Sequence, residues 1–142
     1  MDSILLDTNI ILDIALERQP FYDWAHQLVL AALKKEVALF ITATTITDIY
    51  YIIGKTKGRE SAWGFVTQLM DFIEVAGVDR IVIEKALEFR DWEDFEDAVQ
   101  ASSGIIHGID VLVTRDASGF SKAPLVVLTP EDALTLLEKR RA

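Results

Sequence analysis

Short apolar runs separated by longer amphipathic stretches constrain this sequence most. Residues 4–6 and 111–113 contain only Ile, Leu and Val, which is typical of strands buried on both faces of a sheet. The stretch at residues 21–35 instead repeats apolar residues at helical spacing, as at Trp24 and Leu28. Buried strands that alternate with helices favour a parallel sheet covered on both faces. The sequence therefore predicts the α/β class, as a three-layer α/β/α sandwich with a central, mainly parallel sheet.

The predicted elements run through the whole chain without a linker or a repeat. Its 142 residues are close to the commonest size of one domain, so we expect a single domain over residues 1–142. Thr129 and Pro130 are typical of a helix start, and Gly58 and Gly108 are typical of helix ends. The predicted strands are residues 3–6, 37–41, 73–75, 111–114 and 125–128, and the predicted helices are residues 9–16, 21–35, 44–56, 59–72, 80–89, 94–107 and 130–141.

Composition excludes several kinds of site. The chain has no cysteine, which excludes disulfides, thiolate metal ligands and cysteine nucleophiles. Its two histidines, His26 and His107, are isolated in the sequence and give no catalytic pair. The net charge of −9 disfavours nucleic acid when taken alone, because phosphates are bound by Lys and Arg. Since no apolar run could span a membrane and residues 1–9 have no basic segment, we expect a cytoplasmic protein without a membrane anchor.

Four aspartates stand at positions that suggest a metal site. Asp7 follows the first apolar run, and Asp116 follows the predicted strand 111–114 by two residues. Ligands of parallel α/β sheets bind outside the carboxyl ends of the strands. Asp48 and Asp97 lie in predicted helices with apolar neighbours, where an unpaired carboxylate is unfavourable. Carboxylates brought together repel one another unless a cation offsets their charge, and oxygen ligands favour Mg²⁺ or Mn²⁺.

The same aspartates lie within four segments that resemble, in order, the motifs of the PIN-domain nucleases. The segments are residues 5–13, 44–51, 94–100 and 113–116, with the sequences LLDTNIILD, TTITDIYY, DFEDAVQ and VTRD. The resemblance covers nearly the whole chain. The DFEDA sequence and the size of the chain are similar to the VapC-type toxins of toxin–antitoxin pairs.

The resemblance implies a parallel sheet between helices and a Mg²⁺- or Mn²⁺-dependent endonuclease that acts on RNA. It also implies an antitoxin protein as partner and, commonly, a homodimer. Asp48 departs from the family, in which Glu is most frequent at the second acidic position, so its carboxylate is one methylene shorter. Matched residue by residue, the catalytic and metal-binding positions fall on Asp7, Asp48, Asp97 and Asp116, and the residues expected to flank them or to contact the substrate are Thr8, Asn9, Asp94, Thr114 and Arg115.

Several of these residues have a purely structural alternative. Asp7 could cap the helix that follows it, and Asp116 could be a turn residue. Asp94 and Asp97 could form a local capping pair at the start of one helix. We expect Asp94 to cap that helix while it lines the site, and Asp97 to be the metal ligand of the two.

Three interpretations of the function remain. The first is a metal-dependent endoribonuclease. In it, the basic residues around one predicted turn hold the RNA backbone, and the alternative is that they only form a solvated turn; they are Lys55, Lys57 and Arg59. The second is a PIN-like module with weak catalysis that binds RNA or a protein partner. The third is an aspartyl phosphotransfer domain, which is disfavoured because phosphatases of that type have a second Asp where this chain has Asn9.

Overall fold

The computed structural model describes residues 1–141, and within them it contains five strands and seven α-helices. The strands are β1 (Ser3–Leu6), β2 (Ala38–Thr42), β3 (Ile73–Ala76), β4 (Val111–Val113) and β5 (Val126–Leu128). The helices are α1 (Thr8–Ala15), α2 (Phe21–Leu33), α3 (Ala43–Lys57), α4 (Arg59–Leu69), α5 (Arg80–Ala86), α6 (Phe95–Ile106) and α7 (Pro130–Arg141). A 3₁₀ turn that the sequence did not predict covers Ala117–Phe120.

The strands form one sheet in which every pairing is parallel, in the order β3-β2-β1-β4-β5. The predicted three-layer α/β fold with a parallel sheet is therefore confirmed. The chain runs outward from β1 through β2 to β3 and then returns to the other side of β1 with β4. The sheet thus has its topological switch point between β1 and β4, which is where ligands bind in open α/β sheets.

Alternate residues of the central strands pack into different layers. Ile4 and Leu6 lie in the larger core with residues of α1, α2, α3 and α7, whereas Leu5 lies in a second core with Leu112 and Ala101 of α6. All of these side chains are nearly inaccessible to solvent. This burial on both faces is the reason that the β1 and β4 sequences are continuously apolar rather than alternating.

The main differences from the predicted boundaries are at the ends of helices. α2 ends at Leu33, and Lys35 has a positive φ of 61° that takes the chain out of the helix. α3 begins at Ala43 because the Thr42 hydroxyl accepts a hydrogen bond of 3.3 Å from the Thr45 N–H. α4 ends at Leu69 instead of the predicted residue 72, and α5 ends at Ala86 instead of the predicted residue 89. Within residues 1–141, none of the helices combines the length and apolar character that a membrane span requires.

Candidate functional site

Asp7 and Asp116 lie at the switch point of the sheet. Asp7 directly follows β1, is 7% exposed, and donates its N–H to the Val113 carbonyl of β4 at 3.0 Å. Asp116 begins the 3₁₀ turn that follows β4 and is exposed. The expectation that both would lie at the carboxyl edge of the sheet therefore agrees with the structure.

Both carboxylate oxygens of Asp7 are held by hydrogen bonds. Oδ1 accepts from the Thr8 N–H at 2.7 Å and from Gln100 Nε2 at 3.0 Å. Oδ2 accepts from the Thr114 hydroxyl at 2.8 Å, and that hydroxyl also accepts from the Asp116 N–H at 3.1 Å. Thr114 therefore links the carboxylate that ends β1 to the turn that carries Asp116.

The first turn of α6 brings two more carboxylates to this edge. Asp94 caps the helix, since its Oδ1 accepts from the N–H groups of Glu96 at 2.8 Å and of Asp97 at 3.2 Å. Burial, together with the negative charges of Asp94, Asp7 and Asp116, raises the pKa of Asp97 to about 7. No positive group of the protein is among the causes that act on this pKa.

Asp48 on α3 approaches the same region and meets Glu96. Burial raises the pKa of Glu96 to about 7, with contributions from a hydrogen bond to Asp48 and from the charges of Asp48 and Asp94. The Thr8 hydroxyl donates to Glu96 Oε1 at 3.4 Å, which acts in the opposite direction. Glu96 thus retains its proton up to about neutral pH beside the carboxylate of Asp48.

Sequence reasoning did not select Glu96 or Gln100. Both lie on α6, where Gln100 follows Glu96 by four residues and Asp97 by three and so lies on the same side of the helix as each of them. The DFEDAVQ segment contained this spacing, but glutamate in a first helical turn is commonly only a partner of the helix dipole. The contacts with Asp7 and Asp48 depend on the tertiary fold.

One cavity of about 410 Å³ collects these side chains. Six carboxylates line it, and no Lys or Arg is among the residues that form its walls. A second cavity of about 470 Å³ shares Asp94, Asp97 and Asp116 with the first and is also lined by Trp92 and Lys122. The residues that line the first cavity are Asp7, Thr8, Asn9, Leu12, Asp48, Tyr51, Ile52, Asp94, Glu96, Asp97, Gln100, Asp116 and Phe120.

The chemistry of this donor set fits a divalent cation. Carboxylate oxygens are the ligands that Mg²⁺ and Mn²⁺ prefer, and the raised pKa values of Glu96 and Asp97 reflect burial together with neighbouring negative charge. Within residues 1–141, no three acidic or histidine side chains are close enough together to form a ready coordination sphere. The cavity thus offers charge and oxygen donors rather than a preformed cage.

Arg115 lies outside the cavity, although it belongs to the VTRD segment. Its Nε is 2.9 Å from Oδ2 of the fully buried Asp13, and its guanidinium lies 4.0 Å from the centre of the Phe21 ring. Arg18 approaches the other oxygen of Asp13 at 3.7 Å. Arg115 therefore joins the turn after β4 to α1, and the structure does not place it against a substrate in the cavity.

The three basic residues around the α3–α4 turn have different surroundings. Lys57 Nζ donates to the Ala15 carbonyl at 2.9 Å and so caps the end of α1. Arg59 lies 5.4 Å from the centre of the Trp63 ring, and neither residue lines the cavity. Lys55 contacts Tyr51, which lines the cavity.

Comparison with known proteins agrees with the fold. The model of the PIN domain family matches residues 3–118. Ribonuclease VapC1 of Aquifex aeolicus (strain VF5) is 24% identical over 135 residues, which cover 92% of each chain.

Two solved structures resemble the fold of this chain. VapBC2 of Rickettsia felis, bound to a DNA fragment from its promoter, has a TM-score of 0.70 at 20% identity and covers 89% of this chain and 98% of its own. VapC20 of Mycobacterium tuberculosis, a toxin that cleaves the sarcin–ricin loop, has a TM-score of 0.68 at 17% identity and covers 87% of this chain and 96% of its own.

Proposed function

This chain belongs to the PIN domain family, and on that premise we propose that it is a metal-dependent endoribonuclease and the toxin of a toxin–antitoxin pair. The observation that carries the proposal is the group of six carboxylates around one cavity at the switch point of the sheet. The similarity to Ribonuclease VapC1 supports RNA as the substrate. RNA, rather than a small metabolite, also suits a site that is open to solvent beside exposed Asp116.

Asp7, Asp48, Asp97 and Asp116 are the residues that we propose to hold Mg²⁺ or Mn²⁺. A divalent ion held by these carboxylates would supply a water of lowered pKa and positive charge beside the phosphodiester. Gln100 and Thr114 fix the orientation of Asp7 through the hydrogen bonds given above. Asp94 holds Asp97 at the cavity by capping α6.

Glu96 adds a role that the motifs alone did not suggest. Asp48 is one methylene shorter than the glutamate usual at its position, and the Glu96 carboxyl lies beside it in the same cavity. We infer that the two residues act together at this side of the site. The longer Glu96 side chain supplies the reach that Asp48 lacks.

The partners and the setting are part of the same proposal. The structural likeness to a VapBC complex supports an antitoxin protein as partner. A homodimer is a further expectation from the family, and a cytoplasmic location is the expectation from the sequence. Asn9, exposed at the cavity wall beside Thr8, is positioned to meet the RNA rather than to hold a carboxylate.

Cleavage of single-stranded RNA by the purified full-length chain with Mn²⁺ tests the function. We expect Asp7→Asn to lower the rate by about 100-fold or more, because even indirect partners of a metal ligand contribute 10–100-fold. Asp71→Asn, at an exposed aspartate outside the cavity, is the matched control and should cleave as the wild type does.

Two outcomes would contradict the proposal. Equal cleavage by Asp7→Asn and wild type would place the activity elsewhere or in a contaminant. RNA binding by the wild type with no cleavage in Mn²⁺ would favour the second interpretation, a PIN-like module that binds without turnover.

A further inference from the structure

One face of α3 leads out of the cavity. Asp48, Tyr51 and Ile52 line the cavity wall, and Lys55 lies on the next turn of the same face. Residues at this spacing form a continuous stripe on a helix. The stripe therefore runs from a carboxylate of the site, past an aromatic ring, to a cation.

Tyr51 is an aromatic ring presented to solvent at the mouth of the cavity. Its side chain is 63% exposed. Lys55 Nζ is 3.2 Å from the Tyr51 hydroxyl and 5.0 Å from the ring centre, so the ammonium lies toward the hydroxyl end of the ring. An exposed ring whose edge is fixed by a cation is suited to stacking with a flat ligand.

Lys55 differs from other cations near the site because no carboxylate neutralises it. Among residues 1–141, no Asp or Glu lies within ion-pair distance of Lys55. Lys122 is paired with Asp91 at 2.9 Å, and Arg115 is paired with Asp13. Since the cavity itself is lined only by negative charge, a polyanion that enters it needs positive charge at the border.

We propose that Tyr51 and Lys55 bind the nucleotide next to the scissile phosphodiester of single-stranded RNA. The Tyr51 ring stacks on the base, and the Lys55 ammonium contacts a backbone phosphate. This inference rests on the proposed ribonuclease function and names how its substrate is held. Stacking requires an unpaired base and tolerates any base, so the subsite selects single strands without selecting a sequence.

Steady-state cleavage by the full chain with Mn²⁺ separates binding from catalysis. We expect Tyr51→Ala to raise KM by roughly tenfold, the size of one lost base stack, with kcat unchanged. Tyr51→Phe keeps the ring and should keep the KM of the wild type. Lys55→Gln should reduce the slope of log KM against log salt by about 0.7, the value for one phosphate contact on a single strand.

Trp63 provides a matched control on the neighbouring helix. It is 61% exposed and also carries a cation on its ring, Arg59, but neither residue lines the cavity. Trp63→Ala should therefore keep the KM of the wild type. An RNA with one abasic nucleotide beside the cleaved bond should bind the wild type more weakly than the intact RNA does. The two RNAs should bind Tyr51→Ala equally.

The outcomes distinguish this inference from the function on which it rests. Cleavage by the wild type with an unchanged KM in Tyr51→Ala and Lys55→Gln overturns the subsite and leaves the ribonuclease intact. If the wild type does not cleave, the ribonuclease proposal fails, and the anisotropy of a labelled single-stranded RNA then measures the subsite directly. Equal RNA affinity of wild type and Tyr51→Ala in that assay overturns the subsite and assigns this face to a protein partner.

Discussion

At the scale of single residues, Thr114 shows how closely the two central strands are connected. Its hydroxyl donates to Asp7 Oδ2 and accepts from the Asp116 N–H, while its own N–H donates to the Leu128 carbonyl of β5. The side chain is almost fully buried, so these bonds are not exchanged with water. One hydroxyl thereby fixes the position of one carboxylate and of the backbone that carries another.

Thr114→Val removes this hydroxyl while it keeps the shape of the side chain. We expect the free energy of unfolding to fall by about 1–3 kcal/mol, because Asp7 Oδ2 and the Asp116 N–H lose their partner in a buried place. Thr114→Ser keeps the hydroxyl and should lose less. Urea unfolding of the three proteins measures the difference, and equal stability of Thr114→Val and wild type would show that water replaces the hydroxyl.

Local patterns predicted individual residues well where the reason was local. The capping role of Asp94 depends only on the next three residues, and the structure confirms it. The pairing of Glu96 with Asp48 and of Arg115 with Asp13 joins residues far apart in the chain. Such pairs leave no periodic signal in the sequence, because each residue alone is compatible with a solvated helix or turn.

At the scale of elements, a buried ion pair connects α1 to the turn after β4. Asp13 is completely inaccessible to solvent and lies between Arg115 and Arg18. Burial raises the pKa of Asp13 even though both arginines favour its charged form. The charge of Asp13 is therefore tolerated only while its partners are present.

Arg115→Met tests this connection. We expect it to lower the free energy of unfolding by about 3 kcal/mol, because it leaves a buried charge with one remaining partner at a longer distance. Asp13→Asn in the same chain removes that charge and should recover part of the loss. Denaturant unfolding of the single and double variants gives both values.

Arg80 provides the control for this experiment. It pairs with Glu84 on the surface, where the two side chains are 89% and 61% exposed. Arg80→Met should therefore change stability by no more than about 0.5 kcal/mol. A loss of stability as large as that of Arg115→Met would mean that the removal of any ion pair, whether buried or exposed, has the same effect on the free energy of unfolding.

Periodicity located every strand and helix but not every end. Apolar spacing reports which side of a helix is buried, and it continues beyond the last turn when the following residues also pack. This explains why α4 ends at Leu69 while Phe72 still packs against the core. The 3₁₀ turn at Ala117–Phe120 has only one buried residue, Phe120, and therefore no period that a sequence could reveal.

At the scale of the whole molecule, the net charge of −9 is partly concentrated at one edge of the sheet. The folded chain holds two acidic groups, Glu96 and Asp97, with pKa values of about 7. In the unfolded chain the same groups titrate near pH 4. Between these values the folded state binds more protons than the unfolded state.

The stability of the metal-free protein should therefore fall as the pH rises through this window. Ionisation of an acid whose pKa is raised by folding lowers the free energy of unfolding. This loss is absent below about pH 4 and complete above about pH 7, so we expect Tm to decrease from about pH 5 to about pH 8. Mn²⁺ should raise Tm most at the upper end, where both carboxylates are ionised. Thermal unfolding with and without Mn²⁺ measures the two effects.

Asp97→Asn supplies the comparison for the pH experiment. The variant lacks one of the two titrating groups, so its Tm should depend less steeply on pH over the same window. A wild-type Tm that rises with pH through this range, or that Mn²⁺ leaves unchanged at about pH 8, would contradict the assignment of uncompensated charge to the cavity.

The order of the strands was the part of the fold that the sequence left open. Alternation of strands and helices predicts a parallel sheet, but it does not determine that β4 returns to the side of β1 opposite β2. The convergence of Asp7 and Asp116 depends on that return. The family motifs indicated the candidate site without the strand order, because they are recognised from the residues along the chain and not from the way in which the strands pair.

The pairing of β1 with β4 also has a consequence for the synthesis of the chain. Thr114 and Asp7 are 107 positions apart, so their hydrogen bond cannot form until residue 114 has left the ribosome. A nascent chain therefore carries first Asp7, then Asp48 and finally Asp97 without a complete cavity around them. The ribosome that makes this protein is thus not exposed to its proposed RNA-cleaving activity until Thr114 and Asp116 have been made.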